Sequence, residues 1–279
     1  MICSIVVLYE PEKVDLNNIL SYYDSVDFSF IIDNSKESNL KEIEKVLKNK
    51  KAHYEYKHFA NNLGLCRALN YGIYHASKLG YKWVLLMDSD SSFITDIIKE
   101  FKTFLASNKS DTIAVLSPVH LFDRSKHSPY KGTKRMKWAM TSGCLYNVDV
   151  FLKLKGFKEE LYVDGLDMDY CYKARENGYN IIQVGQALLK HNPAVTKELK
   201  INNYVFFRYG YASPWRYYMQ ARSLVWTILR YRHIYDAIIY VYKFIKVIIL
   251  FDNKCCYINE ILRGSKDGIK LWKKQRSLQ

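Results

Sequence analysis

Residues 2–8, Ile-Cys-Ser-Ile-Val-Val-Leu, run apolar with one interruption and stop at Tyr9-Glu10-Pro11. A run of that length without polar alternation predicts a strand covered on both faces, as in a parallel sheet. A helical pattern follows around 14–24, then a second strand at 28–32 that ends in Asp33-Asn34-Ser35. Residues 38–49 read as an amphipathic helix and 53–56 as a short third strand. After Asn61-Asn62-Leu63-Gly64 comes a helix over 65–79, and a fourth strand over 82–87. Strand and helix alternating in this way predict an α/β, doubly wound, mostly parallel sheet with right-handed crossovers.

The second half keeps the theme with less regularity. A strand at 112–116, the stretch 138–146, helices near 148–154 and 166–177, and strands at 179–184 and 187–191 complete a core of about 200 residues. We expect residues 1–110 to form a nucleotide-binding half and 111–200 to complete the same domain. Residues 201–279 form a helical, basic and aromatic extension. Within it, 234–250 is largely apolar but carries Asp236, Lys243 and Lys246. That is too short and too charged for a membrane span, and it suits an interfacial helix, a core helix pair or a homodimer interface.

Composition narrows the partners. The 279 residues carry a net charge of +14, with carboxylates thinning after residue 198. Such an excess favours an anionic partner: nucleic acid, a nucleotide phosphate or an anionic membrane. No zinc, helix-turn-helix or RNP pattern appears, which argues against nucleic acid. None of the six cysteines forms a Cys-x-x-Cys pair, so they read as reduced, mostly buried thiols. No secretory signal precedes the first strand, and the expected location is cytoplasmic.

The chemistry gathers at strand ends. The run 83–87 stops at Asp88-Ser89-Asp90-Ser91-Ser92. In an open α/β sheet ligands lie beyond the carboxyl ends of strands, and paired carboxylates there suit Mg²⁺ or Mn²⁺. The alternative is a helix cap for the turn before Ile97. A second acidic group, Asp164, Asp167 and Asp169, opens the helix at 166. Three acids exceed what a cap needs, and one of them could serve as a general base. Asp33 and Asn34 can bind a base or ribose, or can form an Asx turn. Gly64 before a helix offers amides to an anion, with Arg67 and Asn70 on one face of that helix. His191 follows a strand as a candidate metal ligand or a loop histidine.

In this order the pieces resemble family 2 inverting glycosyltransferases of the GT-A fold. The residues that carry the resemblance are Asp33-Asn34-Ser35, Asn62-Leu63-Gly64, Asp88-x-Asp90, Ser142-Gly143, Gly156-Phe157, Asp164 through Lys173, and His191. Within the family, Leu86 through Ser91, Asp164-x-x-Asp167-x-Asp169-x-Cys171, and Ser213-Pro214-Trp215-Arg216-Tyr217-Tyr218 with Arg222 resemble bacterial rhamnosyltransferases of surface-polysaccharide synthesis. The resemblance implies a nucleotide base on Asp33 and Asn34 beside Val7 and Tyr9, and ribose and diphosphate near Gly64 and Arg67. It puts Asp88 and Ser89 on the donor, the metal on Asp90 and His191, and the base at Asp167. Ser142, Gly143, Asp164 and Asp169 would line the acceptor or sugar pocket.

It further implies metal-dependent single displacement from a dTDP- or UDP-sugar to a lipid-linked glycan, at the inner face of the cell membrane. Alternatives are a UDP-hexose donor (UDP-galactose, UDP-glucose or UDP-N-acetylhexosamine) and a non-catalytic glycan-binding homologue. The chain departs from the family pattern at Leu166, where relatives carry an acid, and at Asp169, where rhamnosyltransferases often carry Glu. Asp164 and Asp169 therefore stay in reserve as the base. A haloacid-dehalogenase-type phosphatase would carry its Asp-x-Asp on the first strand, whereas three strands precede Asp88. A sugar-phosphate nucleotidyltransferase would need a glycine-rich basic loop that Val7-Leu8-Tyr9-Glu10 lacks.

Overall fold

In a computed structural model of the chain, residues 1–51, 53–124, 127–191, 194–202 and 204–277 are described. They divide into two compact units. The first comprises Met1–Tyr162 and Tyr170–Asn192, and the second Val163–Asp169 and Pro193–Gln279. Sequence patterning set the boundary at 200. The structure instead starts the second unit a few residues earlier and gives it the acidic segment 163–169 as well.

The first unit is built on one sheet. Strands β1 (Ile2–Leu8), β2 (Phe28–Asp33), β3 (Tyr54–His58) and β4 (Trp83–Asp88) run parallel. Their order is β3-β2-β1-β4, so the strands of the first three crossovers fan out on both sides of β1. Six of the seven β1 residues are buried, as an apolar central strand requires. Helices α1 (Lys13–Asn18), α2 (Leu40–Leu47) and α3 (Leu65–Lys78) make the connections. The helix expected over 14–24 breaks into the short α1 and two 3₁₀ turns.

Beyond β4 the sheet changes direction. β5 (Ser92–Phe93), β6 (Ile113–Leu121), β7 (Thr133–Arg135), β8 (Cys144–Asn147) and β9 (Asn180–Lys190) complete it, with α4 (Ile97–Ala106), α5 (Val148–Lys153) and α6 (Leu166–Glu176) between them. β8 is inserted antiparallel between β4 and β6, while β9 runs parallel to β6. The two strands expected at 179–184 and 187–191 are one continuous strand, β9. β5 then pairs antiparallel with the end of β9, Ser92 opposite Lys190. An antiparallel strand starts where its neighbour ends, so residues just before β8 and just after β9 arrive beside the end of β4. Gly143 makes that approach sterically feasible: its φ is +72°, and a Cβ there would lie 2.8 Å from Leu189 and 2.9 Å from Pro118.

The second unit opens with a hairpin that the sequence pattern did not reveal. β10 (Val195–Ile201) pairs antiparallel with β11 (Tyr204–Tyr211), with an irregularity at Leu199/Lys200. Three helices follow: α7 (Pro214–Tyr231), α8 (Ile234–Leu250) and α9 (Lys254–Arg276). α7 and α9 approach closely at Gly264 and Gly268, where a Cβ would stand 2.2 Å from the Tyr218 carbonyl and 2.4 Å from that of Arg222. Among the described residues no helix is long and apolar enough to cross a membrane. Four cysteines are buried as expected, but Cys255 and Cys256 are exposed at the start of α9.

Candidate active site

Asp88 and Asp90 are released from the capping role the sequence left open. α4 is capped by Asp96, whose side chain accepts from the Lys99 amide at 3.0 Å, a contact that typically contributes about 1 kcal/mol. The turn after β4 thus holds both carboxylates at the carboxyl end of the strand. β9 delivers His191 to the same place: its Nδ1 lies 3.2 Å from Asp90 Oδ1 and its Nε2 lies 4.0 Å from Asp88 Oδ2. One ligand atom from each of Asp88, Asp90 and His191 falls within 4.8 Å of the others, a spacing that can hold one cation. Two carboxylate oxygens and an imidazole nitrogen suit a divalent metal. The resemblance put the metal on Asp90 and His191, and the geometry adds Asp88 to the set.

A buried polar relay supports this cluster; the sequence reading placed Ser142 in the acceptor or sugar pocket, gave Ser91 no role of its own and missed His120. Ser91 Oγ lies 2.7 Å from His191 Nδ1 and receives a hydrogen bond from Ser142 Oγ at 2.8 Å. The Asp88 amide donates to the same Ser142 Oγ at 3.0 Å. His120 Nε2 reaches the Ser142 carbonyl at 2.7 Å, with its ring edge-on to that of His191. Burial lowers the His120 pKa to about 4, the Ser142 bond opposing it, so this ring is neutral and its Nε2 carries the proton. For His191 burial also works against the charged form. The hydrogen bond to Asp90 and the charges of Asp88 and Asp90 outweigh it and raise the pKa above the ordinary histidine value. Ser91 sits inside the quoted acidic motif, so the hydroxyls after Asp90 were its only signal. Ser89, the predicted donor contact, meets Asn18 through its backbone carbonyl at 2.9 Å.

The residues expected to meet the nucleotide lie along the ends of β1 and β2. Register sets Val7 opposite both Ile32 and Asp88, and Leu8 opposite Asp33. Asp33 is fully buried. Its Oδ2 accepts from the Asn39 amide, the Asn39 side chain and the Tyr56 hydroxyl, while Oδ1 accepts from the Ser35 amide at 2.9 Å. Burial opposes ionisation, but these bonds hold its pKa below the usual carboxylate value. Asn34 donates to the Gly64 carbonyl at 3.4 Å, and its buried Oδ1 has no hydrogen-bond partner among the described residues. An orphaned acceptor of this kind is costly unless a ligand or water meets it. Tyr9 is exposed and Arg67 lies on the outer face of α3.

The expectation that the start of α3 offers its amides to an anion is corrected in part. The Gly64 amide donates to Asn62 Oδ1 at 2.9 Å and the Cys66 amide to the Tyr162 carbonyl at 3.0 Å. Asn70 is structural, its amide making paired 2.9 Å bonds with the backbone of Phe157.

The three acids of the 163–169 segment differ in their surroundings. Arg216 Nε and Nη2 bind the Asp164 carboxylate at 3.1 Å each, and the Tyr231 hydroxyl donates to Asp169 Oδ1 at 2.6 Å. Burial raises the Asp164 pKa, with Arg216 and Lys243 opposing it. Asp167, at the first turn of α6, is half-buried, and its Oδ1 lies 2.8 Å from the Met168 amide.

Residues 16–154 match the family model for glycosyl transferase family 2. The chain is 24% identical over a 298-position alignment to a dTDP-rhamnosyl transferase, RfbF, of Shigella flexneri, covering 96% of this chain and 95% of that protein. Among solved structures, GalNAc-T7 with UDP, GalNAc and Mn²⁺ superposes with a TM-score of 0.58 at 12% identity over 80% of this chain. S. aureus TarS in complex with UDP superposes with a TM-score of 0.55 at 19% identity over 82%. This chain spans 47% of the first and 65% of the second. These likenesses establish the fold as GT-A, the architecture the family resemblance implied.

Proposed function

Because this chain is a glycosyltransferase with a family 2 domain at residues 16–154, we propose that it transfers rhamnose from dTDP-rhamnose to a hydroxyl of a lipid-linked glycan, with inversion. The observation that carries the reading is the convergence of Asp88, Asp90 and His191 at the carboxyl end of the sheet. The likeness to a rhamnosyl transferase over nearly the whole chain favours the donor. In this scheme Asp33 Oδ1 and Asn34 Oδ1 accept from the nucleotide base beside Val7 and Tyr9, while Gly64 and Arg67 flank the ribose and diphosphate. Asp90 and His191, joined by Asp88, would hold Mg²⁺ or Mn²⁺, with Asp88 and Ser89 towards the donor. Ser142, Gly143, Asp164 and Asp169 line the sugar and acceptor side.

When bound, the ion offsets the charge that grows on the departing diphosphate. Asp167 takes the proton of the acceptor hydroxyl as its oxygen forms a bond to the anomeric carbon. The bond from that carbon to the diphosphate oxygen breaks, and its electron pair leaves with the nucleoside diphosphate. A UDP-hexose donor is the second reading, favoured by the UDP-bound structures to which the fold is similar.

We place the enzyme at the inner leaflet of the cell membrane, with α8 as the contact. Ile234, Ile238, Val241, Ile245 and Ile248 recur at alternating spacings of four and three, and all are exposed, together with Tyr235, Tyr242 and Ile249. The α8 charges Asp236 and Lys246 are buried on the other side. Such a face suits an interfacial helix, with a second copy of the chain as the rival occupant.

A screen of dTDP- and UDP-sugars with Mn²⁺ and a lipid-linked acceptor tests the assignment. Asp90→Ala and Asp167→Asn should each slow transfer by at least ~10²-fold, with dTDP binding retained in Asp167→Asn. Turnover near the unsubstituted rate in Asp167→Asn removes it as the base.

A further inference from the structure

The residue proposed as base lies in a segment that belongs to the second unit, and one face of α7 meets that segment at three points. Arg216 grips Asp164 through two 3.1 Å contacts at the segment's start. Ser223 packs against Gly165, so closely that a Cβ on Gly165 would stand 2.7 Å from the Ser223 Cβ. Tyr231 donates to Asp169 Oδ1 at 2.6 Å at the segment's end, and its hydroxyl lies 3.1 Å from the Asp169 carbonyl. Steps of seven and eight residues return to the same side of a helix, so Arg216, Ser223 and Tyr231 form one stripe. Asp167 stands midway between the two pinned acids.

The two clamps are themselves held. Ser213 caps α7 and accepts from the Arg216 amide, and Pro214 occupies the first turn, which sets the start of the helix that carries the guanidinium. The guanidinium meets both carboxylate oxygens, through one hydrogen bond from Nη2 to Oδ1 and one ion-pair contact from Nε to Oδ2, and two points of contact constrain orientation as well as distance. The Tyr231 ring packs edge-on to the buried Trp226, with Arg230 over its face. Between Asp164 and the first turn of α6 the segment passes through Gly165 at φ +79°, a conformation that side-chain-bearing residues rarely adopt.

We infer that Arg216 and Tyr231 are positioning residues that hold Asp164 and Asp169, and through them the Asp167 carboxylate, in a working orientation. This rests on Asp167 being the base. Displacement of a reacting group by about 1 Å can cost on the order of 10²-fold in rate, so loosening one of two pins should cost about 10- to 30-fold. Asp169 remains held when Arg216 is lost, and Asp164 when Tyr231 is lost.

The test pairs hydrogen exchange with kinetics on the full chain. In Arg216→Gln, amides of residues 163–169 should exchange at least tenfold faster, while those of 83–91 stay unchanged. Transfer should lose about 10- to 30-fold in kcat, with the donor KM within twofold. Arg216→Lys should recover part of the kcat, because it keeps the charge without the bidentate geometry. Tyr231→Phe removes one hydroxyl and gives a milder version of the same pattern if Arg216→Gln fails to fold. Asp164→Asn combined with Arg216→Gln should cost no more than either alone. Unchanged exchange at 163–169, or a loss expressed in KM with kcat intact, overturns the inference. A wrong base assignment shows separately, as full turnover in Asp167→Asn, and the exchange comparison still decides the pinning.

Discussion

Acidification should weaken metal binding at the Asp88–Asp90–His191 cluster, and His191→Gln should abolish that dependence. The imidazole stands 3.2 Å from Asp90 Oδ1 and 4.0 Å from Asp88 Oδ2, in the space a cation would share with both carboxylates. Burial opposes protonation, but the Asp90 hydrogen bond and the two negative charges raise the pKa above its ordinary value. A raised histidine stabilises the metal-free fold fully below its unfolded pKa of about 6.5, and this contribution is lost as pH rises through the higher folded value. An arriving divalent ion must displace that proton, one proton per ion. Apparent affinity should therefore fall about tenfold for each pH unit below the folded pKa, about 1.4 kcal/mol per unit. Calorimetric titration with Mn²⁺ between about pH 6 and 8, in two buffers of different ionisation enthalpy, reads affinity and released protons together. His191→Gln should bind about 10- to 100-fold more weakly at the alkaline end, by analogy with losing a group that supports a metal, and should show no slope. An equal slope in His191→Gln would assign the proton to another group and refute the reasoning.

Two further outcomes follow from the geometry. Asp33→Asn should lower stability by ~1–3 kcal/mol near neutral pH, because it weakens charge-assisted bonds in a buried turn. The depressed Asp33 pKa stabilises the fold above the unfolded value near 3.9 and loses this effect as pH falls through the folded value. The variant should therefore show a shallower acid limb in denaturant titrations, and an unchanged limb contradicts the assignment. Replacing the exposed Ile238 and Ile245 by Glu should abolish flotation with anionic vesicles while the melting temperature stays within a few degrees. Unaltered flotation, or a change of oligomeric state in its place, assigns the α8 stripe to another partner.

The elements best anticipated are those whose pattern is local. β1, β4 and α3 follow from apolar runs and helical periodicity, and Asp88 and Asp90 from their position at a strand end. The hairpin β10–β11 escaped notice because its strands mix Lys, Glu and Arg with aromatics, and both Leu199 and Phe207 are exposed. Its sequence carries neither clean alternation nor a buried run. The exposed Cys255 and Cys256 were misplaced for a related reason, since helical periodicity alone does not say which face α9 buries.

Sequence alone determined the α/β order and the acidic motifs, because hydrophobic period and short spacings are properties of neighbours along the chain, and the family came from the resemblance that those motifs carry. The make-up of the site was a tertiary decision. Antiparallel insertion of β8 brings Ser142 under Asp88, and the pairing of β5 with β9 brings His191 to Asp90 across 101 positions of sequence. The three acids at 164–169 look alike in sequence. Packing on α7 tells them apart, since it engages Asp164 with Arg216 and Asp169 with Tyr231. Long-range pairing and burial set ligand geometry and pKa, and neither is encoded in local spacing.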